Sequence, residues 1–300
     1  MKTLKKTETQ EVAVIETKEQ IPDYLKHDLN KGNLGMETLG SQDMTVPRLK
    51  VMQGLSPEKE RFSWLKNGDF FHTAHEIALP QPLLAVPIII NKRYILWRPR
   101  SQGGGILARA NDGKTWMPSN TKFNVSLTAK EGGPANVVWE TKKSVLESGL
   151  DNWGSSNPSD PNSPPAATLM YNILLAFPAN EDISPAVLTL QRTGVKAAQK
   201  LHMKLRNTNR PIFQCVVRFT TFVDHGGGNE FYNVNTELAG IFGLKRLWGA
   251  GDKEPWTLGS EEQYENYKAL YETISREGLG VRDEEGLQES EELVDDKIPY

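Results

Sequence analysis

Three hundred residues, 38% apolar and 24% charged, are enough for one large domain or two small ones, and the net charge of −3 gives no overall sign of a polyanion binder. One cysteine, Cys215, excludes an internal disulfide framework and a Cys-based zinc site, and suits a reducing cytoplasm. The N-terminus, MKTLKKTETQ, has lysines without the apolar segment of a signal peptide, and no stretch approaches the roughly 18 apolar residues of a membrane span, so a soluble cytoplasmic protein is expected.

Residues 1–45 mix Lys, Glu, Thr and Gly with sparse apolar residues and are expected to form a flexible arm, with a helical turn near Ile21–Leu29. The body is expected over residues 46–258, starting near Thr45-Val46-Pro47. Leu83–Trp97 is rich in β-branched and aromatic residues and predicts a strand. Residues 99–165 then read as a large insertion, with turns at QGGG and NDGK, a strand at Asn136–Lys142 and a Ser/Pro/Asn-rich loop over Ser155–Pro165. Leu169–Phe177 and Ala186–Gln191 predict two further strands. Gly194–Asn207 predicts a helix whose apolar face is Val195, Ala198, Leu201 and Leu205. Ile212–Val223 and Phe231–Asn235 predict a closing pair of strands around a Gly-rich turn. Strand, strand, strand, helix, strand, strand is the element order of an OB-fold, so the expected class is mainly β with a few helices: an OB-like five-stranded barrel carrying a large insertion. Ser260–Arg276 predicts an amphipathic helix capped by Ser260, within a C-terminal segment 259–282.

The chain ends DEEGLQESEELVDDKIPY, eight acids against one base from Asp283 onward. Such a segment buries too little apolar surface to fold, so a disordered acidic tail is expected over 283–300. It nets −7, which leaves +4 on residues 1–282: a mildly basic body with a detached acidic tail. The tip, with Asp295, Asp296, Ile298, Pro299 and Tyr300, resembles the C-terminal tip of bacterial and bacteriophage single-stranded-DNA-binding proteins, a run of Asp followed by Ile-Pro-Phe. Two positions depart from that pattern: Lys297 stands where a third acid is usual, and Tyr300 replaces Phe. The physics of such a tip is peptide docking, with the apolar pair entering a pocket while the carboxylates meet Lys or Arg around it. The resemblance implies single-stranded DNA binding and protection in phage replication, recombination or repair, with replication or recombination proteins recruited by the tail. A strand-annealing recombination mediator and a virion or assembly protein that uses the tail as a docking peptide are the alternatives. Self-association is compatible with each.

Two runs could grip a strand. Lys92, Arg93, Tyr94, Trp97, Arg98 and Arg100 interleave cations with aromatic rings, and alternation along a strand puts Lys92, Tyr94 and Arg98 on one side and Arg93 and Trp97 on the other. Arg192, Lys196, Lys200 and Lys204 recur every four residues, with Arg206 and Arg210 beyond, and make a one-sign stripe opposite the apolar face. Arg218, Phe219, Phe222, Phe231 and Tyr232 could extend a stacking surface. Enzyme signals are thin. His72 and His75 are spaced H-x-x-H without a third ligand and read as a hairpin, Cys215 reads as core, and neither glycine cluster fits a dinucleotide loop. No catalytic residue, metal or cofactor is expected.

Overall fold

The computed structural model describes residues 46–241, apart from 132, 227 and 228, and residues 261–277. The expected N-terminal arm, the Ser260 cap and the acidic tail with Asp295, Asp296, Ile298, Pro299 and Tyr300 lie outside the described residues. In chain order the elements are β1 (Arg48–Val51), the single turn α1 (Glu58–Arg61), β2 (Phe70–His72), β3 (Ile77–Leu79), β4 (Leu83–Trp97), β5 (Ile106–Ala110), β6 (Thr121–Leu127), β7 (Ala135–Thr141), α2 (Val145–Ser148), β8 (Ala167–Ala176), β9 (Ala186–Gln191), α3 (Val195–Arg206), β10 (Cys215–Gly226), β11 (Asn229–Ile241) and α4 (Glu261–Glu277).

β4 organises the sheet because its fifteen residues are long enough for three partners. Leu83–Ala85 pair with β10, Val86–Leu96 with β8, and Tyr94–Trp97 with β5. Pro87 has no N–H to give to a ladder, and the register between β4 and β8 slips there, between Pro87 and Ile89. The order is β11-β10-β4-β8-β9-β1-β2-β3, with β5 beside β4, nine strands among the described residues. Every pairing is antiparallel except that of β1 with β9. Five of the six strands predicted from the sequence are therefore joined by four short ones, β1, β2, β3 and β5, while the predicted strand at Asn136–Lys142 pairs, as β7, with β6 in a separate two-stranded sheet.

The sheet curls into a half-barrel, and two glutamine side chains bind across the gap where its ends approach. Gln53, just after β1, donates from Nε2 to the Tyr232 carbonyl at 2.9 Å and accepts the Tyr232 N–H on Oε1 at 2.8 Å. Gln81 accepts the Thr221 N–H at 2.9 Å and donates to the Gly68 carbonyl at 2.7 Å. Each amide supplies the donor and acceptor that a neighbouring strand would have offered. Gly68 lies under the Tyr232 ring at φ +86°, where a Cβ would come within 2.5 Å of the ring. Glycine is required there both by space and by backbone conformation.

Alternation along the strands sorts the core into two layers. On the inner face, Ile173, Leu175, Leu188, Val217 and Phe219 close around Ala198, Leu201 and Leu205 of α3. On the outer face, Val86, Ile88, Leu174 and Val216 meet Tyr264, Tyr267, Leu270 and Ile274 of α4. Burying Leu201 or Leu205 stabilises the fold by about 1.5–3 kcal/mol each. Burial on both faces explains why β8 and β9 read as near-continuous apolar runs.

The insertion has its own core, in which Tyr94 and Leu96 of β4 meet Ala108, Trp116, Val125, Val137, Trp139 and Leu150. Its Ser/Pro/Asn-rich loop holds no helix or strand, yet it is held by several hydrogen bonds. Gly154 N–H donates to the Ser163 carbonyl at 2.7 Å, Asn157 N–H to Ser163 Oγ at 3.1 Å, and Trp139 Nε1 to the Ser156 carbonyl at 3.2 Å. Ser156, Asn157 and Ser163 are buried; the Ser156 carbonyl is paired, while its hydroxyl has no partner among the described residues. The loop thus presents Trp153, the residue before its Gly154 turn, on a fixed base.

Candidate functional site

The site is a groove of about 700 Å3 between the first half of α3 and the β10–β11 hairpin. Arg192, Lys196 and Lys200 line the helix wall. Phe222, Asp224, Phe231 and Asn233 line the hairpin wall, and Trp153 reaches in from the insertion. Trp153 is 60% exposed and Phe222 45%, well beyond what a core aromatic shows, so both rings are open to a ligand.

The helix wall is built against the usual rules of helix stability. The N-cap, Gly194, has no side-chain cap bond, the first turn has no acid, and it contains Lys196. A helix N-terminus is the positive end of the macrodipole, so a cation there costs about 0.3–1 kcal/mol where an acid would have stabilised by as much. Arg192 adds a second local cost, since its φ of +51° is unfavourable for a residue with a side chain. Arg192, Lys196 and Lys200 therefore converge on one groove, where a turn of 3-10 helix (Arg192–Gly194) leads into α3. The arrangement favours an anion.

The hairpin wall is polar and held in place. Asp224 accepts the His225 N–H on Oδ1 at 2.9 Å and Asn233 Nδ2 on Oδ2 at 3.2 Å. Asn233 also donates to the Thr193 carbonyl at 3.4 Å, tying the hairpin to the turn before α3. Phe222 pairs with Asn233, and Asp224 with Phe231, so these four residues share a face of the hairpin.

The other predicted residues fall into distinct places. Lys92 is exposed with its ammonium 4.9 Å from the centroid of the Tyr94 ring, Arg98 and Arg100 are exposed, and Trp97 is half-buried. Arg93 and Tyr94 are only 4% and 6% exposed, which corrects their assignment to a stacking surface. For Tyr94 the cause is the insertion, whose core takes in its ring. Lys204 donates to the Thr236 carbonyl and so belongs to the fold. Arg206 and Arg210 are exposed beyond the groove. Arg218 pairs with Glu237 across β10–β11 at 3.6 Å. Phe219 is buried in the core and Tyr232 covers Gly68. Trp153 was not anticipated; the only signal was an aromatic before glycine in a polar loop.

The histidine pair lies in the β2–β3 hairpin, with rings 4.9 Å apart and the His75 N–H donating to His72 Nδ1 at 3.3 Å. Burial and the neighbouring His75 hold the His72 pKa below the ordinary histidine value. Among the described residues no group of three His, Cys, Asp or Glu side chains is placed to hold a metal. Cys215 is buried, and that burial pushes its thiol pKa up, away from a reactive thiolate. Among the described residues no helix is long and apolar enough to cross a membrane.

Fold and site together define a mainly β protein, a curled half-barrel with a helix in its hollow and an appended insertion that contributes to a cationic, aromatic groove. Its sequence matches the model of the Pam3 phage gp34-like protein family over residues 14–279, and the chain belongs to that family. No curated protein and no solved structure gives a significant match.

Proposed function

We infer that this phage-family protein binds single-stranded DNA, protecting exposed strands during replication, recombination or repair in the host cytoplasm and recruiting replication proteins through its acidic tail. The observation that carries the reading is the groove: three cations at the start of α3 face exposed aromatic rings across a gap. Single strands are held by that combination, with phosphates on cations and bases stacked on rings at about 1–3 kcal/mol per base. A duplex keeps its bases stacked on each other and cannot use the rings. The half-barrel is read as an OB-like core widened by the short strands. The protein acts by binding, without catalysis, metal or cofactor. The tail competes with DNA for the groove when the protein is free.

The test is fluorescence anisotropy of a labelled, unstructured oligonucleotide and of the matching duplex. Three phosphate contacts predict a log–log salt slope of about −2 for the single strand. The triple variant Arg192→Glu, Lys196→Glu, Lys200→Glu is expected to abolish binding, and removal of residues 283–300 to tighten it. Equal binding of duplex and single strand, or full binding by the triple variant, would refute the assignment.

A further inference from the structure

The groove is divided by charge, and the division carries information about how a strand would lie in it. All three cations stand on the α3 wall, whereas the hairpin wall holds a carboxylate, Asp224, between the rings of Phe222 and Phe231. A phosphate set against Asp224 would be repelled, so the sugar-phosphate track belongs to α3 and the bases to the hairpin. Asp224 is fixed by its two hydrogen bonds, from the His225 N–H and Asn233 Nδ2, and Asn233 is itself held by the Thr193 carbonyl. An ionised carboxylate has about four acceptor positions, and these two bonds fill two of them, while Asp224 lines the groove.

Resting on the single-strand reading above, we propose that Asp224 reads the exocyclic amino group of a base stacked at the hairpin wall, so the groove prefers cytosine to thymine. Cytosine N4 can donate a hydrogen to such a carboxylate, while thymine turns its O4 carbonyl to the same place and meets like charge. The two bases have the same ring size, so stacking on Phe222, Phe231 and Trp153 separates them little. Selectivity then resides in Asp224, with Asn233 as the residue that positions it.

The experiment is anisotropy competition between oligo-dC and oligo-dT of equal length at pH 7.5, with the full-length protein and its Asp224→Asn and Asp224→Ala variants. The wild type is expected to bind oligo-dC about tenfold more tightly. Both substitutions should remove that preference while leaving the salt slope with oligo-dC unchanged. Equal affinity of the wild type for the two oligomers, or a preference that survives both substitutions, overturns the assignment of Asp224 and leaves single-strand binding standing. If neither oligomer binds at low salt, the single-strand reading falls and this inference with it.

Discussion

Replacing Arg192 by glycine separates folding from binding, because the two are expected to move in opposite directions. Arg192 lies at φ +51°, where a side chain costs about 1–2 kcal/mol. Glycine removes that cost, but its freer unfolded chain returns about 0.5–1 kcal/mol. Arg192→Gly should therefore range from neutral to about 1.5 kcal/mol more stable, a rise in Tm of up to about 6 °C for a body of this size. Arg192→Ala keeps the backbone cost and should melt near the wild type. In binding the two variants should agree, since each loses one groove cation. Losing one phosphate contact makes the log–log salt slope shallower by about 0.7 and weakens binding about fivefold at 0.1 M salt. Calorimetric melting and salt-dependent anisotropy on both variants measure these quantities. A glycine variant that melts several degrees below the alanine variant, or an unchanged salt slope, would refute the reasoning.

Gly68→Ala should destabilise by about 2–4 kcal/mol in denaturant unfolding, because its Cβ meets the Tyr232 ring at 2.5 Å in a left-handed backbone conformation. Trp153→Ala should leave Tm nearly unchanged, as that side chain is mostly exposed, and should weaken oligonucleotide binding by the 1–3 kcal/mol, roughly, of one stacked base. The His72 pKa is lowered in the folded state, first by burial and then by His75, so below about pH 6.5 the unfolded chain takes up more protons than the native one. Stability is thus complete above that pH and falls as the pH drops toward the native-state pKa; chemical unfolding from pH 7.5 to 5 measures the fall, and His72→Phe should flatten it. Lys204→Met should cost about 1 kcal/mol through the lost bond to the Thr236 carbonyl and leave the salt slope as it is, whereas Lys200→Met should do the reverse.

Much of the frame was legible because its segments are long and strongly patterned. Leu83–Trp97 and Ala186–Gln191 were predicted to the residue, and α3 within one residue at each end, since β-branched runs and a 3.6-residue apolar period are local signals. β1, β2, β3 and β5 are three to five residues long, too short for a period to show, and they form only because distant partners wait for them. The first part of Ile212–Val223 is a turn of 3-10 helix before β10 starts at Cys215, because Pro211 gives no N–H to a ladder. The site was half legible. The spacing of Arg192, Lys196 and Lys200 announced one wall, but a stripe cannot say where it ends, and Lys204 turned to Thr236 instead. Alternation in β4 gave two faces without revealing that the insertion covers the one that carries Tyr94, so Tyr94 looked available. Trp153 joins the groove through tertiary placement of a polar loop, which nothing in its local sequence encodes.

The central claim is that exposed aromatics and helix cations hold an unpaired strand together. Titration of the intrinsic tryptophan fluorescence with an unstructured oligonucleotide, repeated at several salt concentrations, tests it most directly, because Trp153 stands in the groove. Saturable quenching that weakens linearly with the logarithm of salt, and that largely vanishes in Trp153→Phe while Lys196→Glu weakens the binding itself, is the predicted result. Absence of binding at low salt, in the full chain and in the chain lacking residues 283–300 alike, would contradict it.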